Sequence, residues 1–397
     1  MGQLAALRTR PSVPRSRRTD GDVSRALHRV SQRLADTPVA FELELPDGRS
    51  HAFGDGPPEF RIRARTERAL PALCSLDLAR IAEAYLDAEF DVDGDMIRMY
   101  ELRPWLSDFH PFHYLWRFVQ PVVFGQVGTN SRAIRSHYEL GADFYLSFIG
   151  AARCYTQGIF DHPGEPLEVA QRRKFDFCLE QLELPPGGHV LEIGPGWGAF
   201  AEHAARRGVQ ITGVTNSRDS AEYMTELGGR LGLAWEIVEA DVLDYRPART
   251  FDAVVLMGIM EHLPDYSAVL ARLHSLVRPG GRVYIDASAG RHKYRASSFI
   301  TRRIYPGNHS FFVLHNFLAA VARTPFRLRG IYDDRLDYYR TFVHWARNLE
   351  ASEERLVADF GEWNYRRFHL YLWGAAHQFL HDGLQCYRVV LERPAGA

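Results

Sequence analysis

The stretch Val190-Leu191-Glu192-Ile193-Gly194-Pro195-Gly196-Trp197-Gly198-Ala199-Phe200 carries the residue types that hold a nucleotide-like ligand. An apolar run reads as a buried strand, three glycines at alternate positions follow, and a helix begins at once. Glycine permits positive φ and lets a ligand approach backbone where a Cβ would clash. In an open parallel sheet, the crevice at the carboxyl end of such a strand is where nucleotides bind. A dinucleotide turn wants GxGxxG, so that a pyrophosphate rests on the helix N-terminus. Here the spacing is GxGxG and the sixth position is Ala199. Glu192 adds a negative charge just before the first glycine, which repels a pyrophosphate and suits a ligand with a cationic amino-acid end. S-adenosylmethionine fits that description. Thr215-Asn216-Ser217, after the next strand, offers polar groups to a ribose or adenine, and Asp241, after the third, can accept from an adenine amino group.

A sheet must hold these turns side by side. Buried strand patterns at His189–Ile193, Gln210–Thr215, Trp235–Ala240, Phe251–Met257 and Gly281–Ala287 alternate with helices, which predicts a parallel sheet with helices on both faces. About a hundred mostly helical residues follow, with strands expected at Phe326–Tyr332 and Cys386–Leu391. Upstream, Phe41–Leu45 and Phe60–Ala64 alternate as strands about the turn Pro46–Arg49, and Leu76–Phe90 reads as an amphipathic helix. The acidic Asp91–Asp95 segment fails as a calcium loop: with Gly94 at position 6, Tyr100 falls where a Glu is required. It reads as a solvated turn.

The 397 residues suit two domains, and 46% hydrophobic with 24% charged residues is a globular composition. A formal charge of −1 excludes a general nucleic-acid coat. No apolar run reaches the roughly 20 residues of a membrane span. Lys174 and Lys293 are the only lysines, the other basic residues being arginine. Cys74, Cys154, Cys178 and Cys386 form no CxxC, which fits a reducing cytoplasm and no zinc cage. No HExxH or paired-histidine spacing is picked out, and no metal site is expected. The Arg-rich residues 1–22 read as a disordered tail that could touch anionic headgroups at the inner membrane face. Aromatics in Tyr114–Phe118 and Ser310–Leu314 are read chiefly as core, with membrane contact as the other reading. Asp286-Ala287-Ser288-Ala289-Gly290 lacks the first glycine of a nucleophile elbow, so a hydrolase is dismissed.

Several segments resemble the cyclopropane fatty acid synthase family, which includes the mycolic acid cyclopropane synthases. They are His137–Tyr145, Tyr155–Phe160, Leu191–Phe200, Phe251–His262 with its Met260-Glu261-His262 end, Ile304–Gly307, Tyr338–Trp345 and Phe368–Leu391. Ala84–Asp87 and Asp93–Asp95 resemble the end of the N-terminal domain of phospholipid-acting members. The resemblance implies an α/β class I methyltransferase fold, Rossmann-like, with a mainly parallel seven-stranded sheet and a helical substrate cover, plus a small N-terminal α+β domain. The divisions expected are a tail at 1–22, a lipid-positioning domain at 23–124, and a methyltransferase domain at 125–397 with a helical insertion at about 289–385. Cofactor-binding residues are then Tyr155, Thr156, Glu192, Gly194, Gly196, Gly198, Thr215, Asn216 and Asp241.

The activity so implied moves the methyl of S-adenosylmethionine to the double bond of an unsaturated acyl chain. An alkene is a weak nucleophile, so the site must align it and exclude water. The carbocation that follows can be stabilised by aromatic faces and a carboxylate, here Glu261; His262 beside it is read as a packing residue. Ring closure in the family uses a bicarbonate held by Cys, Glu, His and Tyr. By position these fall on Gln157, Glu261, Ala287 or a neighbour, and Tyr338, so two of four ligands differ. The Gln157 amide could still donate to bicarbonate. Cyclopropanation therefore stands beside methyl or methylene branching of a lipid or natural product, and beside a non-catalytic S-adenosylmethionine- or lipid-binding protein. A homodimer and peripheral membrane contact stay open.

Overall fold

The computed structural model describes residues 20–110, 115, 119, 140–306 and 310–396. Helix α1 (Asp20–Arg33) buries Leu27 and Val30 against a small sheet of β1 (Phe41–Glu44), β2 (Ser50–Phe53), β3 (Phe60–Ala64) and β4 (Phe90–Gly94). Between β3 and β4 run α2 (Ala69–Leu73) and α3 (Leu78–Leu86), and α4 (Met96–Tyr100) follows β4. The order is β2-β1-β3-β4, with β1 and β3 parallel and the other pairs antiparallel. Strand alternation puts Phe41, Phe53 and Phe60 on the covered face, where their rings stack at 4.6 and 5.1 Å.

Two expectations are corrected here. The acidic segment is not a solvated turn: it is β4, paired so that Arg63 opposes Asp91 and Arg61 opposes Asp93. Period-two geometry turns both carboxylates to one face, where Arg65 reaches Asp91 at 2.6 Å and Arg63 reaches Asp93 at 3.3 Å, while Phe90 is buried on the other. The preceding helix is also shorter than Leu76–Phe90. Asp77 caps it by accepting from the Arg80 N–H, and Ala88 takes a positive φ that turns the chain into β4.

The rest of the chain runs α5 (Gly141–Leu146), α6 (Leu167–Leu182), β5 (His189–Ile193), α7 (Ala199–Ala205), β6 (Gln210–Thr215), α8 (Arg218–Leu231) and β7 (Glu236–Glu239). Then come β8 (Phe251–Met257), α9 (Tyr266–Leu276), β9 (Val277–Ala289), α10 (Leu314–Val321), β10 (Arg327–Asp333), α11 (Arg335–Ala351), α12 (Glu353–Phe360), α13 (Glu362–Leu380) and β11 (Gln385–Glu392). The seven strands order as β10-β11-β9-β8-β5-β6-β7, and only β11 runs antiparallel to its neighbours. β5 lies near the centre with helices on both faces, so the turn at its carboxyl end opens on the crevice where strand order reverses.

Helix α13 joins the two sheets. The Tyr85 hydroxyl lies 2.7 Å from His369 Nδ1, and the Tyr100 hydroxyl donates to the Leu370 carbonyl at 2.5 Å. Arg366 donates to the Phe90 carbonyl and pairs with Asp91. Phe311, Phe312 and Val313 are buried, as the core reading of that segment expects. Residues 1–19, Tyr114, Trp116–Phe118, His137–Glu139 and Gly307, named above, lie outside the described residues. Among the described residues no helix is long and apolar enough to cross a membrane.

Candidate functional site

The β5–α7 turn is built as its glycines dictate. Gly194 sits at φ 70°, and a Cβ there would come within 2.2 Å of Ile259 Cδ1. Gly196 sits at φ 54° with open space where its Cβ would point, which leaves its backbone accessible to a ligand. Gly198 serves packing, since a Cβ would press on Met224 and Leu227 of α8. The Ser220 hydroxyl, from the first turn of α8, donates to the Gly196 carbonyl at 2.8 Å and fixes the loop.

Behind the turn lies a fully buried ion pair. Lys174 of α6 stands 3.3 Å from Asp286 of β9 and donates to the Thr156 hydroxyl. Burial is the largest single influence and opposes its charge, but the attraction and hydrogen bond of Asp286, together with Cys154 and Cys386, raise the Lys174 pKa and keep it charged. Asp286 also accepts from the Gly258 N–H at 3.0 Å, so one pair of charges positions both Thr156 and the end of β8.

A single cavity of about 990 Å³ opens on this turn. Glu192, Gly194, Gly196, Tyr155 and Thr156 line it, together with Glu261 and Tyr338. Burial pushes Glu192 up to about 8, with the Lys174 charge opposing, and Glu192 Oε2 has no hydrogen-bond partner among the described residues. Glu261, in the short helix Met260–His262 after β8, is likewise buried and raised to about 7 by that burial. Its Oε1 accepts from the Ser288 N–H and hydroxyl, each at 2.7 Å, and its Oε2 has no hydrogen-bond partner among the described residues. Two buried carboxylate oxygens thus lack a donor on one cavity. Such oxygens attract a cation, whether permanent or formed during a reaction.

Aromatic rings from the helical cover complete the wall. Tyr338, Phe342 and Trp345 come from α11, Tyr371 from α13 and Tyr305 from the turn before α10. Tyr305 and Tyr371 hydroxyls lie 3.2 Å apart, and the Tyr155 ring is 5.1 Å from Trp345. Burial raises the Tyr338 phenol well above its ordinary value, so it stays protonated. The same cavity reaches into the N-terminal domain, where Leu27, Val30, Phe41, Leu43, Phe53 and Ile62 line it.

The remaining sequence-derived candidates lie elsewhere. Gln157 is buried, but its amide donates to Asp334 Oδ2 at 3.0 Å, and Asp334 in turn holds Arg388 through two bonds. Gly198, Thr215, Asn216 and Asp241 do not line the cavity either. The Thr215 hydroxyl accepts from the Ser217 N–H, and Asp241 caps its own turn by accepting from the Leu243 N–H. Conversely, the cavity is lined by Arg153 and Ile259, not singled out above, and by Trp197, Ser288 and His262, which were given no part in the site. His262, read as a packing residue, faces the cavity, and burial lowers its pKa to about 4. Arg153 takes a φ of 57° and donates to the Trp197 carbonyl. Trp197 and His262 lie beside motif residues, whereas Arg153, Ile259 and Ser288 are brought to the cavity by segments distant in sequence from the glycine turn.

Comparisons with known proteins agree with this layout. The chain is 25% identical over 382 residues to a Pseudomonas putida protein described as a probable fatty acid methyltransferase, covering 93% of this chain and 95% of that one. It is 23% identical to a sphingolipid C9-methyltransferase of Candida albicans, covering 92% and 74% of the two chains. Among solved structures, a cyclopropane synthase of Mycobacterium tuberculosis superposes with a TM-score of 0.61 at 25% identity, over 66% of this chain and 98% of that one. The seven-stranded sheet and its helices form the class I methyltransferase fold. The family model described as mycolic acid cyclopropane synthetase matches residues 126–389, so the chain belongs to that family of S-adenosylmethionine-dependent methyltransferases.

Proposed function

We propose that this enzyme methylates a double bond in the acyl chain of an unsaturated lipid. The observation that carries the reading is the continuity of one cavity. It includes a glycine turn with the partnerless Glu192 oxygen, an aromatic-walled centre with the partnerless Glu261 oxygen, and an apolar stretch in the N-terminal domain. Glu192 and the open backbone at Gly196 suit the cationic amino-acid end of S-adenosylmethionine, with Tyr155 and Thr156 on the facing wall. When bound, that cofactor supplies an electrophilic methyl group.

This chain's own residues do the rest. Apolar and aromatic walls keep water from a reactive cation on the acyl chain. The faces of Tyr305, Tyr371, Phe342 and Trp345 and the Glu261 carboxylate stabilise positive charge as it develops, without bonding to it. The Ser288 hydroxyl and N–H favour the ionised form of Glu261 and offset part of the effect of burial. The N-terminal domain receives the remote end of the acyl chain, whose burial supplies binding energy that fixes the double bond in register.

Open-chain methylation or methylenation is favoured over ring closure. The Gln157 amide, the group that could replace the family's cysteine toward bicarbonate, is committed to Asp334 and lies off the cavity. A relative that covers 93% of this chain is described as a probable fatty acid methyltransferase. Proton NMR of lipid recovered after incubation with S-adenosylmethionine and an unsaturated phospholipid tests both levels. New branch-methyl or exomethylene signals are expected. Upfield cyclopropane methylene signals would restore ring closure, and absence of S-adenosylhomocysteine would overturn methylation altogether.

A further inference from the structure

Outside the reacting centre, Glu101, His377 and His381 converge where the N-terminal domain meets the carboxyl end of α13. The two histidines are four residues apart, His377 in the last turn of α13 and His381 directly after the helix, a pairing not expected above. Glu101 comes from the other domain, directly after α4. The candidate ligand atoms all lie within 4.8 Å of one another. Glu101 Oε1 is 3.0 Å from His381 Nε2, and Glu101 Oε2 is 3.8 Å from His377 Nε2. Ligands about 2.0–2.2 Å from a tetrahedral zinc ion stand roughly 3.3 Å apart; the two separations, one to each Glu101 oxygen, lie on either side of that value.

His377 supplies a second, independent observation. Its side chain is only 8% exposed, and its Nε2 has no hydrogen-bond partner among the described residues, the Glu101 carboxylate standing 3.8 Å away. A buried ring nitrogen left that way costs free energy unless something engages it. The neighbouring cations have partners of their own: Arg98 is bound to Glu59 and Arg103 pairs with Asp108 at 3.4 Å.

We infer that Glu101, His377 and His381 form a three-ligand site for a divalent transition-metal ion of the zinc type, with a fourth position open to solvent beside the exposed His381. Two imidazoles and one carboxylate select such an ion over calcium or magnesium, which prefer oxygen alone. The ion would tie the N-terminal domain to the end of α13, whose following residues Asp382, Gly383 and Leu384 line the cavity. It is a clamp on the cavity wall and takes no part in methyl transfer.

The test uses the full-length chain without a histidine tag, stripped with chelator and titrated with Co²⁺ alone, then with Zn²⁺. One equivalent of Co²⁺ should give the visible bands of a tetrahedral ion, zinc should bleach them, and zinc should raise the melting temperature. Glu101→Gln and His381→Ala, each checked for native circular dichroism, should weaken uptake by about tenfold or more. Absence of bands and of a melting shift in the unaltered chain would overturn the site. So would uptake that neither substitution changes.

Discussion

Ser288 and Glu261 form a one-sided pair: both donors of Ser288 go to Oε1, at 2.7 Å each, and the buried Oε2 has no hydrogen-bond partner among the described residues. The serine is thereby a positioning residue for a carboxylate that burial drives up to about 7. Two forces on one group set its ionisation, and burial is the larger.

On this account the rate depends on ionised Glu261, so turnover should fall as pH drops through about 7. Ser288→Ala removes one stabilising bond to the charge and should move that acid limb upward by about one unit. Glu261→Gln should lower kcat by about 10²–10³ with the cofactor affinity little changed. A pH–rate profile unmoved by Ser288→Ala would contradict the pairing.

Glu192 predicts a proton coupled to cofactor binding. Its folded pKa of about 8 lies above the ordinary 4.5, so between those values the folded chain holds a proton the unfolded chain has released. Stability of the ligand-free protein should therefore fall as pH rises through that window, and Glu261 acts with the same sign up to about 7. Melting curves across the window should show the decline, and Glu192→Gln should flatten it. Calorimetry in buffers of differing ionisation enthalpy should show proton release when S-adenosylmethionine binds near neutral pH.

Lys174 and Asp286 should behave as a unit. Lys174→Met leaves Asp286 as an uncompensated buried charge, which should cost about 3–5 kcal/mol of stability. Replacing both by apolar residues of similar size should recover most of that loss. Urea denaturation midpoints of the two single variants and the double variant measure the coupling. Cofactor affinity should fall in all three, because Thr156 and Gly258 lose their anchor.

Ala82 lines the cavity where α3 meets α13. Ala82→Phe should narrow the passage into the N-terminal domain and raise KM for long acyl chains much more than for short ones. S-adenosylmethionine binding should be unaffected. Equal loss with every chain length would argue that the acyl chain takes another route.

Legibility in the sequence followed the range of the forces involved. β5, β6 and β8 fall on the predicted residues, because each is a buried run bounded by its own turn signals. β9 begins at Val277, four residues before the expected start, since its Pro279-Gly280-Gly281 segment looks like a turn but stays in the sheet through a register shift against β8. β4 was misread because its carboxylates suggest a solvated turn, whereas Phe90 and Val92 alternate with them and Arg61 and Arg63 of β3 lie opposite Asp93 and Asp91. The same holds at the site. Glu192, Gly194 and Gly196 announce themselves within one short motif. The amide of Gln157 was aimed by Asp334, far along the chain, and its destination could not be read from Tyr155-Thr156-Gln157. Ser288, considered only as a nucleophile, acquires its part from Glu261 across two strand ends.

Transfer of isotopically labelled methyl from S-adenosylmethionine to a purified unsaturated phospholipid, compared between the unaltered chain and Glu261→Gln, tests the central reading most directly. Label should appear on a former alkene carbon of the acyl chain with one S-adenosylhomocysteine formed per methyl, and nearly vanish in the variant. Label on a nitrogen or oxygen of the headgroup, or equal labelling by both proteins, would contradict it.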